Sequence, residues 1–188
     1  MNIVMVAIDA PRDYAEEDRR RACEQAMDAA GLSCFATPSR SRFADIRSRA
    51  LDHLERGGTE ARLPHANQLW MLVGFELFRH LEQEFDCIEV FPNAIVRTLD
   101  KTVPHKSTSE GLARQIEILA KGSGISPIDV ASACYGNLHD RVDALLGAWV
   151  ASTDVTSRVA FGDGACDTIW TVRSGTVPSV SPKGSVYI

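Results

Sequence analysis

Four acidic residues stand where carboxylates could carry out chemistry, and the first of them is Asp9. Six apolar residues, 3–8, lead directly into Asp9, and Pro11 follows two residues later. An unbroken apolar run this short is typical of a strand buried on both faces in the middle of an α/β sheet, and proline ends such a strand. Asp9 is therefore predicted at the carboxyl end of a central strand, where open α/β sheets bind their ligands.

The second acid, Glu89, lies within residues 87–91, an apolar segment that Pro92 ends. If this segment is a strand, Ile88 and Val90 face one side and Glu89 faces the other. A buried carboxylate without a partner is costly. Glu89 therefore lies on an exposed face, pairs with an arginine, or serves as a metal ligand or catalytic group. The segment alone does not choose among these.

The other two acids, Asp140 and Asp143, share one face of a helix predicted to begin at Leu138 and to end near Ser152. Asp140 suits the first turn of that helix, because an acid there complements the helix dipole. Asp143 lies against the apolar stripe that includes Leu145, so a simple surface role explains it less well. Spacing alone still favours a structural role for the pair over a functional one.

Helices must position most of these residues. Apolar spacing and end signals predict helices at 13–30, 42–56, 66–84, 93–99, 107–121, 126–136 and 138–152, and a third strand at 168–172. Three basic residues lie on or beside these helices: Arg21, Lys106 and Arg114. They are either solvated side chains or contacts for a phosphate group.

Composition limits the class of protein. The chain has 188 residues and is 45% hydrophobic, which suffices for one domain with a proper core, predicted over residues 1–173 with a tail at 174–188. The net charge of -5 argues against tight binding of duplex nucleic acid by charge alone. No apolar run reaches membrane-spanning length and no signal peptide is recognisable, so we expect a cytoplasmic protein without a membrane partner.

Four short motifs together resemble one protein family. They are Val-Ala-Ile-Asp-Ala-Pro at 6–11, Arg-x-Cys-Glu at 21–24, Glu-Val-Phe-Pro at 89–92 and His-Asp-x-x-Asp-Ala at 139–144. Their order and spacing are similar to those of domain-of-unknown-function family 429, whose members are described as predicted nucleases with an RNase H-like fold. The resemblance implies an α/β fold with a mixed sheet flanked by helices and a helical insertion.

The same resemblance implies a catalytic and metal-binding set of four acids: Asp9, Glu89, Asp140 and Asp143. Clustered carboxylates repel one another unless a cation joins them, and hard oxygen ligands select Mg²⁺ or Mn²⁺. With such a site, Arg21, Lys106 or Arg114 would contact the phosphate.

The chain departs from the family in one respect. Members normally carry a strand hairpin before the strand that ends in aspartate, whereas this chain begins almost at that strand. We therefore expect a shortened RNase H-like domain without the first strands, whose Asp9 strand has an open edge. Such an edge would be covered by a second copy of the chain, in a homodimer, or by residues 174–188.

From these features we expect a metal-dependent nuclease or phosphodiesterase that acts on nucleic acid or a nucleotide through clustered carboxylates. Two other interpretations stay open. One is a catalytically inactive RNase H-like domain that serves in binding or assembly. The other is a hydrolase of small phosphorylated molecules, which the acidic net charge mildly favours.

Overall fold

The computed structural model of this chain describes residues 3–17, 19–130, 132–133, 135–164 and 167–173. Within these residues the strands are β1 (Met5–Ile8), β2 (Asp86–Val90), β3 (Arg158–Gly164) and β4 (Asp167–Val172). The helices are α1 (Ala22–Ala29), α2 (Arg40–Glu55), α3 (Ala66–Leu69), α4 (Met71–Leu81), α5 (Pro92–Leu99), α6 (Ser109–Ser123), α7 (Pro127–Val130) and α8 (Leu138–Ser152). Short 3₁₀ turns occur at Glu60–Arg62 and Val155–Ser157. The predicted tail at 174–188 lies outside the described residues.

The strands form one mixed sheet in the order β1-β2-β4-β3. β1 pairs with β2 and β2 pairs with β4 in parallel, while β3 and β4 form an antiparallel pair. Four helices, α1 to α4, connect β1 to β2, and the other four lead from β2 to β3. The chain is therefore an α/β protein with a mixed sheet flanked by helices, as the sequence predicts.

β1 lies at one edge of the described sheet, so the central position predicted for it is wrong. Its apolar sequence has another cause, because helices cover both of its faces. Ala7 packs towards α8, where a Cβ atom on Gly147 would come within 3.4 Å of the Ala7 Cβ atom. Ile8 packs on the opposite face with Phe78 of α4. An apolar strand can thus indicate two covered faces without a neighbouring strand on each side.

Some boundaries differ from the predicted ones. The first helix begins at Ala22 instead of residue 13, and the residue before it, Arg21, is held in a buried ion pair. The helix predicted at 66–84 is divided at Trp70 into α3 and α4. The helix from Leu138 to Ser152 and the strand near 168–172 are confirmed as α8 and β4, whereas β3 is additional. In the described part of the chain, none of the helices is both long and apolar enough to span a membrane.

Candidate functional site

Asp9 directly follows β1, at the carboxyl end of the parallel pair β1 and β2. Its side chain stays accessible to solvent, although protein atoms surround it on most sides. Burial and the negative charges of Asp143 and Glu89 raise the pKa of Asp9 to about 7, while the charge of Lys106 opposes the rise. Because water still reaches the carboxyl group, solvent screens part of this repulsion. Asp9 is therefore an acid that resists ionisation and lies beside other acids.

Asp143 lies on α8 and is buried. The ammonium group of Lys106 donates a hydrogen bond to its Oδ2 atom. Burial raises the pKa of Asp143, and the bond from Lys106 opposes that rise. Asp9, Asp143 and Lys106 together form what we call the Asp9 cluster, which has two carboxyl groups and one ammonium group.

Asp140 lies in the first turn of α8 and is exposed. Its Oδ1 atom is 3.1 Å from the Nε2 atom of His139. The charge of Asp140 is among those that raise the pKa of Asp143. Asp140 therefore lies on the solvent side of the Asp9 cluster, close enough to act on it through its charge.

Glu89, on β2, is buried and forms a bidentate ion pair with Arg21. Arg21 Nη1 donates to Oε1 at 3.0 Å and Nη2 donates to Oε2 at 2.6 Å, and the backbone N–H of Arg12 donates to Oε2 at 3.0 Å. Burial raises the pKa of Glu89, and the bonds from Arg21 oppose that rise. The pair is ionised, since a neutral Glu89 would leave the permanently charged guanidinium of Arg21 buried without this partner. Of the three alternatives that the sequence leaves open for Glu89, the structure shows pairing with an arginine.

The pleat of the sheet separates Glu89 from Asp143. Glu89 stands beside Ile8 in the parallel ladder, and Ile8 faces α4. Asp143 belongs to α8, which packs on the opposite face against residues such as Val90. The structure therefore brings Asp9, Asp143 and Asp140 near one another and leaves Glu89 on the other face of its strand.

The donor atoms of the Asp9 cluster suit a hard divalent cation. Once both carboxyl groups are ionised, the two carboxylates and one ammonium group carry a net negative charge, and oxygen donors favour Mg²⁺ or Mn²⁺. Asp9 and Asp143 are the residues that could hold such an ion. Glu89 does not fit as a ligand, because both of its oxygens are already bonded to N–H donors. Across the described ranges, no set of three or more His, Cys, Asp and Glu side chains has the arrangement of a metal site.

The three basic residues predicted to contact phosphate all bind carboxylates. Arg21 binds Glu89 and also donates through Nε to Asp167 at 3.0 Å. Lys106 binds Asp143, as described above. Arg114, on α6, is 3.1 Å from Asp100 and 2.8 Å from Glu117.

Two acids that the sequence argument does not assign complete the surroundings of Arg21. Asp167, at the start of β4, accepts from Arg21 and also from the backbone N–H of Ala22 at 2.8 Å, so it holds the start of α1. Glu24, on α1, is buried, and its Oε1 atom accepts from the N–H of Thr37 at 2.8 Å and from the Thr37 hydroxyl at 2.6 Å. The motif at 21–24 contains Glu24, but no local pattern marks Asp167.

A small cleft of about 40 Å³ lies beside Asp9. It is bordered by the ends of β1 and β2, by loop residues between α1 and α2, and by Trp70 between α3 and α4. Glu24 and Glu89 contribute to its wall, and Phe35 and Trp70 border it with 59% and 39% of their surfaces exposed. A cleft of this volume holds a few water molecules and is far smaller than a typical ligand pocket.

The mixed sheet, its flanking helices and the acids at a strand end define an α/β protein with a candidate ligand site at the carboxyl edge of its parallel strands. Residues 2–164 match the model of the family described as Protein of unknown function (DUF429), and the chain belongs to that family. Neither a curated protein nor a solved structure matches the chain.

Proposed function

We propose that this chain is a divalent-cation-dependent hydrolase of phosphodiester bonds, with Asp9 and Asp143 as the carboxylates that hold the cation. The observation that carries the proposal is the Asp9 cluster, in which Lys106 donates a hydrogen bond to Asp143 and the charges of both residues act on Asp9 at the end of β1. When bound, a divalent cation would polarise the phosphodiester group and lower the pKa of a water molecule.

The chain's own residues have separate roles in this proposal. Asp9 is accessible to solvent and faces the substrate, while Asp143 is buried and held in place by α8. Lys106 is paired with Asp143, and its ammonium group would be available to contact a phosphate oxygen if Asp143 held a cation. Asp140 is the third carboxylate, on the solvent side. Glu89 positions the end of β2 through Arg21 and is not a ligand.

We also propose that the sheet belongs to the RNase H-like type. What supports this is the combination of three parallel strands, β1, β2 and β4, with one antiparallel strand, β3, and helices on both faces. The antiparallel pair follows the acid-bearing strands along this chain, whereas the family normally carries a hairpin before them.

The proposal is tested by titrating Mn²⁺ into the protein in a calorimeter. The Asp143→Ala variant removes one carboxylate of the Asp9 cluster, and Asp52→Ala removes an exposed acid of α2 as a matched control. We expect Mn²⁺ to bind the unchanged protein and the control, and not to bind Asp143→Ala. Absence of binding, or equal binding by all three proteins, would show that the Asp9 cluster is not a metal site.

Hydrolysis assays then separate the kinds of substrate. We expect Mn²⁺-dependent cleavage of a phosphodiester, bis(p-nitrophenyl) phosphate, that Asp143→Ala loses. Cleavage of the monoester p-nitrophenyl phosphate alone would instead favour a hydrolase of small phosphorylated molecules, the interpretation that the net charge of -5 mildly supports.

A second candidate function is a non-catalytic binding or assembly domain. It is favoured by the observation that both buried acids of the predicted metal set have a basic partner within the chain, Arg21 for Glu89 and Lys106 for Asp143. A homodimer through the edge of β1 would suit such a role. Sedimentation that shows a stable dimer, together with no Mn²⁺ binding, would favour this candidate over the hydrolase.

A further inference from the structure

We propose that a cavity between the end of α1 and α5 binds a small organic anion, a molecule with an apolar body and one carboxylate or phosphate group. We call it the α1–α5 cavity, and it is bordered by residues 30–33, 93–94, Arg97 and Lys101. None of these described residues also borders the cleft beside Asp9. The inference therefore concerns a second site and goes beyond the proposed hydrolase.

The α1–α5 cavity has the size and the lining of a site for a small molecule. Its volume is about 290 Å³, against about 40 Å³ for the cleft beside Asp9. Ligand pockets typically measure roughly 300 Å³ or more, so this cavity suits a ligand at the small end of the range. Leu32 and Ala94 are buried and give it an apolar wall, while Ser33 and Asn93 are exposed and add a hydroxyl and an amide group at the rim.

The charged groups of the α1–α5 cavity have one sign. Arg97 and Lys101 are basic, and none of the described residues that border the cavity is acidic. The chain as a whole is acidic, with a net charge of -5, so this lining is a local exception. A concave surface that carries one sign of charge attracts ligands of the opposite sign. The ligand that fits is therefore an anion.

These two basic residues differ from Arg21, Lys106 and Arg114, which all bind carboxylates. In the described part of the chain, neither Arg97 nor Lys101 has a carboxylate partner. Arg97 Nη1 donates to the backbone oxygen of Lys101 at 2.6 Å, and this bond leaves the Nε and Nη2 groups available. A guanidinium group binds carboxylate and phosphate oxygens through paired hydrogen bonds. The oxygens of a bound anion would supply the missing acceptors.

A purely structural role is the alternative for both cations. The last turn of α1 contains no basic residue, so Arg97 and Lys101 lie where positive charge complements the negative end of the helix dipole. The turn that follows α1 already satisfies part of that end, because the N–H groups of Gly31 and Leu32 donate to carbonyl groups of the last turn at 2.9 Å. The two roles differ in one measurable respect, since only a ligand site responds to an added anion.

The test compares benzoate with benzamide, which has the same apolar ring and no charge. Saturation-transfer NMR measures the binding of each to the full chain, in EDTA and at constant ionic strength. We expect benzoate to bind and benzamide to bind at least about ten-fold more weakly, because the charge-assisted hydrogen bonds are lost. Phenylphosphonate then distinguishes the two anionic groups. Tighter binding than that of benzoate would identify a phosphate ligand, and weaker binding a carboxylate ligand.

Variants locate the binding. Arg97→Gln should weaken the binding of benzoate by about ten-fold. Arg62→Gln is the matched control, because it removes the same charge from an exposed arginine that does not border the cavity, and it should bind benzoate as the unchanged protein does. Ser33→Phe keeps both cations and fills the mouth of the cavity from an exposed position, so it should abolish binding. Circular dichroism establishes that each variant is folded.

Equal binding of benzoate and benzamide, equal binding by Arg97→Gln and Arg62→Gln, or no binding of benzoate would each overturn the inference. An Arg97→Gln variant that melts at a lower temperature and keeps its affinity for benzoate would assign the two cations to the end of α1 alone. If Arg97→Gln does not fold, Ser33→Phe decides, and unchanged binding by that variant would overturn the site. Asp143→Ala should bind benzoate as the unchanged protein does, whereas loss of binding there would place the ligand at the Asp9 cluster instead.

Discussion

At the scale of single residues, Arg21 and Glu89 form a buried, bidentate ion pair beside the site. We expect Glu89→Gln to lower the free energy of unfolding by about 3 kcal/mol, because it leaves the guanidinium of Arg21 buried with only Asp167 as an acidic partner. Urea denaturation measures this loss. Glu117→Gln, which breaks an exposed pair with Arg114, is the control and should cost less than about 1 kcal/mol. Equal losses in the two variants would contradict a buried, fully ionised pair.

Asp9 should give the protein a pH-dependent stability of defined sign. Its pKa is raised from 3.8 in the unfolded chain to about 7 in the folded protein. As pH rises from about 4 to about 7, the unfolded chain releases this proton first, so the folded state loses stability over that interval. Asp9→Asn cannot ionise and should gain stability relative to the unchanged protein across the same interval. Urea midpoints measured at several pH values test this, and parallel curves for the two proteins would refute the raised pKa.

At the scale of elements, Gly74 lets α4 approach the segment after β1, and Gly147 lets α8 approach β1 and β2. A Cβ atom on Gly74 of α4 would come within 2.2 Å of the Ala10 Cβ atom, whereas one on Gly147 of α8 would lie 3.3 Å from the nearest atom of Val90. We expect Gly74→Ala to destabilise the protein by about 1–3 kcal/mol through overpacking. Gly147→Ala should be close to neutral, because the gain in helix propensity of about 1 kcal/mol offsets the tighter contact. Thermal unfolding of both variants decides this, and the reverse order would show that α4 yields more easily than α8.

Apolar spacing along the sequence predicts helices and strands well where each has one continuous apolar face. The helix at 138–152 and the strand at 87–91 follow directly from spacing and from the end signals around them. β3 escapes prediction because Gly162 and Gly164 interrupt its sequence, and it is stabilised as a strand by pairing with β4. The apolar run of β1 does not reveal its edge position, which only the family resemblance suggests, since two covering helices produce the same run as two neighbouring strands.

At the scale of the whole molecule, the sequence marks the acids but not their partners. The family resemblance groups Asp9 with Asp143, and the charge of Asp143 acts on Asp9, because the end of β1 and α8 meet at the same edge of the sheet. The partner of Glu89 is 68 residues away in sequence and that of Asp143 is 37 residues away. Contacts of that separation depend on the strand order and on the pleat, which periodicity does not determine. Spacing therefore cannot distinguish a carboxylate bound by an arginine from one free to bind a cation.

The whole fold should respond to a cation if the proposed site is real. A ligand that binds only the folded protein stabilises it by about 2.7 kcal/mol at about 100 times its Kd. We expect Mn²⁺ to raise the thermal midpoint more at about pH 8 than at about pH 5, because Asp9, with a pKa of about 7, is ionised only at the higher value. Asp143→Ala should lose the effect, while Asp52→Ala should keep it. A shift of equal size at both pH values and in all three proteins would mean that Mn²⁺ acts elsewhere on the surface and not at the end of β1.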